Sequence, residues 1–317
     1  MSENKSKITL QEITEAVDRG ELNEKDLAQY FTLEGDHSYN LAPDFRLDPD
    51  KVDLDMTEDR GLGQIALNAA NYLCKKARQR EYSKRTWDAY NNGKELIRVM
   101  AEGDSWLQYP FKLDDVIDHL NKRNDLAVYC FSDAGDVLSN MIHKKEFMSG
   151  LIDQRPHYFI LSGGGNDLVD GAGIERFVLP YQEGRTAKDY LRPEYQNFRS
   201  AIYSGYRSIC SEILKYSPST KILCHGYSLP IPHSKGKWLG KPLVGMGITD
   251  PALQRDIVEV IMNDVNGIIQ KAVSAFTESA KYLDVRGTVA DDGWYDEFHP
   301  TSEEFANVAA VFSREIK

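Results

Sequence analysis

Cysteine is scarce: only Cys74, Cys130, Cys210 and Cys224 occur in 317 residues, and no two form a C-x-x-C pair. Cys130 and Cys224 sit inside apolar, strand-like runs, so the set reads as reduced thiols in a cytoplasmic protein rather than disulfides or a zinc site. No window approaches the ~18 consecutive apolar residues of a membrane-spanning helix. Met1-Ser2-Glu3-Asn4-Lys5 leads into charged sequence with no apolar leader, so no secretory signal is expected. Positive charge is in deficit, with 38 Lys and Arg against 49 Asp and Glu, net −11. That balance argues against a general binder of nucleic acid or of anionic membranes. Internal repeats and low-complexity tracts are absent.

What is present is a globular composition, 41% hydrophobic and 10% aromatic, enough for a sizeable core. The length suits one large domain, or one domain with an appendage. Charge is unevenly spread: residues 1–60 carry net −9, residues 61–97 net +4 and residues 98–317 net −6. Such asymmetry marks solvated faces or a contact within the chain or with a partner.

Residues 8–33 read as two short helices, the first opened by a Thr9/Glu12 capping box and stopped at Gly20, the second capped by Asn23. Residues 34–60, rich in Asp with Pro43 and Pro49, read as an extended connector. Residues 62–90 favour helix, with a basic side formed by Lys75, Lys76, Arg78, Arg80, Lys84 and Arg85. From residue 95 strands and helices alternate. Strands are expected at 96–101, 126–131, 157–162, 221–225 and 281–285, and helices at about 112–122, 136–148, 194–216, 252–280 and 302–314. Five strands separated by helices mean a parallel sheet covered on both faces, a three-layer α/β/α sandwich, with its chemistry at the carboxyl ends of the strands.

Three strand ends carry conspicuous polar sequence. The first runs into Glu102-Gly103-Asp104-Ser105-Trp106, where Ser105 fits either a helix cap or a hydroxyl beside free backbone N–H groups. The third ends in Ser162-Gly163-Gly164-Gly165-Asn166-Asp167. That run matches neither nucleotide-binding glycine pattern, and leaves Asn166 or Asp167 as a helix cap or Asn166 as an N–H donor to an anion. After the fifth comes Asp296-Glu297-Phe298-His299. An Asp three residues before a His can accept the Nδ1–H and leave Nε2 free as a base.

With Ser105, Asn166 and the Asp296/His299 pair in this chain order, the sequence resembles the SGNH (GDSL-type) hydrolase family over residues 95–317. The matching blocks are Gly103-Asp104-Ser105-Trp106, Gly164-Gly165-Asn166-Asp167 and Asp296-Glu297-Phe298-His299, with Gly135 in Phe131-Ser132-Asp133-Ala134-Gly135-Asp136 as the glycine after strand two. Trp106 departs from the family's usual leucine, a change expected at the acyl-side wall. The resemblance implies a flavodoxin-like sheet and ester hydrolysis. Ser105 is then the nucleophile, His299 the base and Asp296 its orienting partner, with Ser105 N–H, Gly135 N–H and the Asn166 side chain as oxyanion hole. It implies no cofactor and no metal. The G-x-S-x-G elbow of α/β-hydrolases fails because Leu107 stands where its second glycine would be, and His225, His233 and His299 match no standard zinc spacing.

The domain division expected is a helical extension at 1–94 followed by the hydrolase domain at 95–317. A chain starting near Asn92 is then expected to fold, leaving the extension to bind a protein partner or a second copy; an interaction protein that has kept only the fold is the competing class. Leu62, Ile65, Tyr72 and Leu73 are the apolar positions of the extension's third helix that need burial. Residues 170–193 and 226–251 are long for loops of a compact domain and read as specificity elements, the second as a cover over the acyl site. The expected substrate is a small-molecule or lipid ester, with carbohydrate O-acetyl esters as the rival.

Overall fold

The computed structural model describes residues 7–33, 43–53 and 62–317. In chain order the elements are α1 (Leu10–Arg19), α2 (Glu24–Leu27), β1 (Phe31–Leu33), β2 (Phe45–Leu47) and α3 (Leu62–Asn91). Then come β3 (Ile97–Glu102), α4 (Val116–Leu120), β4 (Leu126–Cys130), α5 (Leu138–Lys144), α6 (Phe147–Gln154), β5 (Tyr158–Leu161) and α7 (Gly165–Val169). The chain ends with α8 (Tyr195–Tyr216), β6 (Lys221–His225), α9 (Gly240–Gly245), α10 (Pro251–Val273), β7 (Ala280–Leu283) and α11 (Ser302–Glu315).

Strands β3 to β7 form one parallel sheet in the order β4-β3-β5-β6-β7, the flavodoxin-like arrangement. Their apolar runs are buried on both faces, as a parallel sheet under two helical layers requires. One layer holds α5, α6, α8 and α10, and the other α3, α4 and α11. The expected caps are present: Thr9 and Glu12 form a capping box, Gly20 ends α1 in the left-handed conformation, and Asp250 caps α10 ahead of Pro251. The single helix expected at 136–148 is two, α5 and α6, broken where Lys145 adopts φ 50°. Of the connector expected at 34–60, residues 34–42 and 54–60 lie outside the described residues. Within the remainder, Phe45–Leu47 pairs antiparallel with Phe31–Leu33 as a short ribbon.

The extension packs into the sandwich. Helix α3 lies along β4, while its Leu67, Ala70, Leu73 and Ala77 are buried in a separate apolar cluster with Ile13, Val17, Leu27, Phe45 and Leu47 of the extension itself. Tyr72, expected to be buried, is 47% exposed, and Ile65 is half-buried. The basic side of α3 turns partly inward. Arg78, 3% exposed, joins Glu24 of α2 (2.8 Å), Asp115 (2.7 Å) and Asp118 (3.0 Å), and donates to the Leu107 carbonyl at 2.7 Å. Asp115 caps α4 and also accepts the Tyr109 N–H. Lys75 bridges Asp133 and Glu146, each at 2.9 Å. These pairs turn part of the positive excess of 61–97 into contacts within the chain, one of them with Glu24 of the acidic stretch.

Removing one partner of such a buried pair costs about 3–5 kcal/mol, because the other charge is left without compensation. A chain starting at Asn92 would leave Asp115 and the α3-facing side of β4 uncovered. It is expected to be aggregated or molten by size exclusion and near-UV circular dichroism. A monodisperse truncated chain that melts cooperatively would show the extension to be dispensable.

Candidate active site

Ser105 follows β3 in a turn closed by Leu107 N–H and Gln108 N–H donating to the Asp104 carbonyl at 3.0 and 3.1 Å. No helix opens at Ser105; the next, α4, is capped by Asp115, so the capping role for this serine does not arise. Asn166 likewise caps nothing. It lies within α7, whose N-cap is Gly164, and its Nδ2 donates to the Asp136 carbonyl at 2.8 Å. Asp167 accepts the Leu138 N–H at 2.9 Å, and burial raises its carboxyl to about 6.

His299 arrives from the far edge of the sheet. After β7 the chain crosses back and closes a narrow turn in which Tyr295 N–H donates to the His299 carbonyl at 2.8 Å. Within this turn the Asp296 carboxylate accepts the backbone N–H groups of Phe298 (2.9 Å) and His299 (2.8 Å). The same carboxylate faces His299 Nδ1 at 2.8 and 2.9 Å, and His299 Nε2 lies 2.7 Å from Ser105 Oγ. An ionised carboxylate only accepts, so Nδ1 carries the proton and Nε2 accepts from the serine hydroxyl. Burial works against the charge of Asp296, but the positive charge of a protonated His299 and the hydrogen bonds outweigh it and hold this carboxyl below its ordinary value.

The sequence-predicted residues Ser105, Asp296 and His299 are thus in hydrogen-bonded series. Gly135 is in the turn after β4 with φ 84°, a left-handed conformation that favours glycine. Trp106 is not an acyl-side wall. Its ring is 1% exposed, packs on His225, Tyr227 and Phe305, and donates Nε1–H to the Phe298 carbonyl. His225 is buried in the same aromatic cluster with Nδ1 donating to the Gly226 carbonyl, and burial pushes its pKa down to about 4.

Two functional features went unread in the sequence. Asp104, beside Ser105, accepts hydrogen bonds from Trp106 N–H, the Ser162 hydroxyl (3.0 Å) and the Tyr227 hydroxyl. Tyr227 in turn accepts the Gly165 N–H at 3.0 Å. The second is Glu297, 1% exposed, whose carboxylate accepts four backbone N–H groups from one loop: His233 (3.2 Å), Trp238 (2.9 Å), Leu239 (3.0 Å) and Gly240 (2.8 Å). A Cβ on Gly236 would lie 1.9 Å from the Glu297 carboxyl carbon, so the loop closes around the carboxylate only with glycine there. This latch seats Trp238 6.0 Å from His299, ring to ring, while Tyr109 packs against the same imidazole at 4.7 Å. Ser105 and His299 are each 1% exposed.

No protein-family model and no curated protein matches the chain. Among solved structures it is similar to a protein of Parabacteroides merdae described as a GDSL-like lipase, at 10% identity over 71% of this chain and 98% of that one, with a TM-score of 0.47. Phospholipase A1 of Streptomyces albidoflavus aligns at 15% identity over 69% and 99%, with a TM-score of 0.48. A family 3 carbohydrate esterase of Clostridium thermocellum aligns at 12% identity over 69% and 94%, with a TM-score of 0.43. Among the described residues, no helix is long and apolar enough to cross a membrane.

Glu297→Gln would replace one carboxylate oxygen by an amide NH2, which donates and cannot accept. Because a buried N–H left unpaired is costly, stability is expected to fall by about 2 kcal/mol or more. Trypsin is expected to cut at Lys235 or Lys237 in the folded variant. An unchanged melting temperature with an uncut loop would show that the carboxylate does not hold this segment.

Proposed function

We propose that the chain is an SGNH-type serine hydrolase that cleaves carboxylic esters through an acyl-enzyme. The observation that carries this reading is the unbroken series Ser105 Oγ, His299 Nε2, His299 Nδ1, Asp296 carboxylate, with contacts of 2.7 to 2.9 Å. Ser105 attacks the ester carbonyl as His299 takes its proton, and the imidazolium then protonates the leaving alcohol. Water repeats the sequence on the acyl-enzyme with the same base. Asp296 fixes the tautomer and stabilises the imidazolium. Ser105 N–H, Gly135 N–H and the Asn166 amide hold the oxyanion, a contribution typically worth ~2.7–4 kcal/mol per donor in the transition state. The segment latched by Glu297 covers the acyl side and opens to admit substrate.

Ser105→Ala is expected to abolish hydrolysis of p-nitrophenyl esters and labelling by a fluorophosphonate. Asn166→Ala is expected to lose roughly 10²–10³ in kcat with KM changed far less, since that bond is made chiefly in the transition state. Rates from acetate to palmitate esters identify the acyl class. Full activity in Ser105→Ala would refute the assignment.

The pH profile supplies a separate check. His299 acts only when neutral, whereas Asp296, held below its ordinary value, stays ionised across the range of about pH 5 to 8 in which histidines titrate. Activity is therefore expected to rise with pH on a single acidic limb. A rate that is flat over that range with chemistry limiting would count against His299 as the base.

A further inference from the structure

Asn71 lies on α3, in the extension that the hydrolase resemblance does not cover, and is 6% exposed. Its side chain is committed at both ends to one residue. Oδ1 accepts the Ala134 N–H at 3.0 Å and Nδ2 donates to the Ala134 carbonyl at 3.0 Å. The Asn71 backbone carbonyl meets Gln108 Nε2 at 3.2 Å, so the same residue also touches the segment that follows Ser105.

Ala134 and Gly135 are the two central residues of a turn closed by Asp136 N–H donating to the Asp133 carbonyl at 3.1 Å. The φ of 84° at Gly135 is that of the third residue of a type II turn. Types I and II differ chiefly in which way the central peptide faces, and glycine at the third position permits either. That central peptide consists of the Ala134 carbonyl and the Gly135 N–H. Its bond is trans, so the two groups point in opposite directions. Whatever holds the carbonyl therefore aims the N–H. Asn71 draws the carbonyl toward α3, which sends the Gly135 N–H away from α3. Among the described residues, that N–H donates to no protein acceptor. A hydrogen bond at the carbonyl also polarises the peptide and strengthens its N–H as a donor.

We infer that Asn71 is a positioning residue for ester hydrolysis, locking the Ala134–Gly135 peptide so that the Gly135 N–H serves the oxyanion. The inference rests on the serine-hydrolase reading above and makes the N-terminal extension a working part of that site.

Asn71→Asp tests it. The carboxylate still accepts the Ala134 N–H but sets an oxygen against the Ala134 carbonyl. For p-nitrophenyl acetate, kcat per Ser105 site titrated with fluorophosphonate is expected to fall roughly 10- to 100-fold, with KM within about twofold. Titration counts only folded sites, and Asn71→Ser, which shortens the donor, is expected to lose kcat in the same direction. Gln79→Met provides the control. Gln79 holds the Cys130 carbonyl at 3.0 Å from two turns further along α3, so its loss is expected to lower the melting temperature and leave kcat per site unchanged. Asn71 variants that lose only melting temperature, with kcat per site as in the wild type, would overturn the positioning role. Ser105→Ala run beside them separates the two failures. If it is inert while Asn71→Asp is fully active, the positioning alone is wrong; if it is fully active, the hydrolase reading falls first.

Discussion

The Asp104 carboxylate sits, 1% exposed, where β3, β5 and β6 end together, and takes hydrogen bonds from the Trp106 backbone, the Ser162 hydroxyl and the Tyr227 hydroxyl. Each donor comes from a different strand end. Through Tyr227 the tie extends to the Gly165 N–H, one residue from Asn166. A buried carboxylate is stabilised only while its donors stay in place, and each charge-assisted hydrogen bond contributes about 1.5–3 kcal/mol. The Ser105 turn and the Asn166 turn are therefore held to one geometry by a single buried carboxylate. Preorganisation of this kind allows donors to meet a developing charge without rearranging.

The α3 layer applies the same logic from the other side. Arg78 binds α2, the segment after Ser105 and the start of α4 at one point, and Lys75 and Asn71 grip the turn after β4. Replacing a buried ion network by apolar side chains is often neutral or stabilising, so stability alone does not account for the Arg78 cluster. What it fixes is relative position, because four segments distant in the chain share one guanidinium.

The sheet and the Ser105–His299–Asp296 series were legible because both are written locally. Apolar runs of strand length separated by helical spacing specify the sandwich, and short motifs after the strands carry Ser105, Asp296 and His299. The β1–β2 ribbon was not, since three-residue strands are too short for an alternation to register. Lys145 gave no warning of the break between α5 and α6, because lysine is not a usual residue for the left-handed cap that it forms at the end of α5. Glu297, Asn71 and Arg78 were misread or passed over for one reason. Their partners lie 29 to 64 residues away, and in a linear reading a polar residue on a helix or loop defaults to solvent. Trp106 was assigned to the acyl wall from its place beside the nucleophile, when its neighbours in space are the rings of β6 and α11.

The placement of α3 also bears on how the chain is made. Synthesis runs from the N-terminus, so this helix leaves the ribosome before every segment of the sandwich that it packs against. Its ties to Asp115, Ala134 and Glu146 reach 37, 63 and 71 residues ahead. At roughly 5–20 residues per second, several seconds pass before all three exist. During that interval Leu67, Ala70 and Leu73 already have Ile13, Val17 and Phe45, made before them, to pack against. Lys75 and Arg85, by contrast, stay in water until Asp133, Glu146 and the carbonyls of Asn121 and Arg123 have been made.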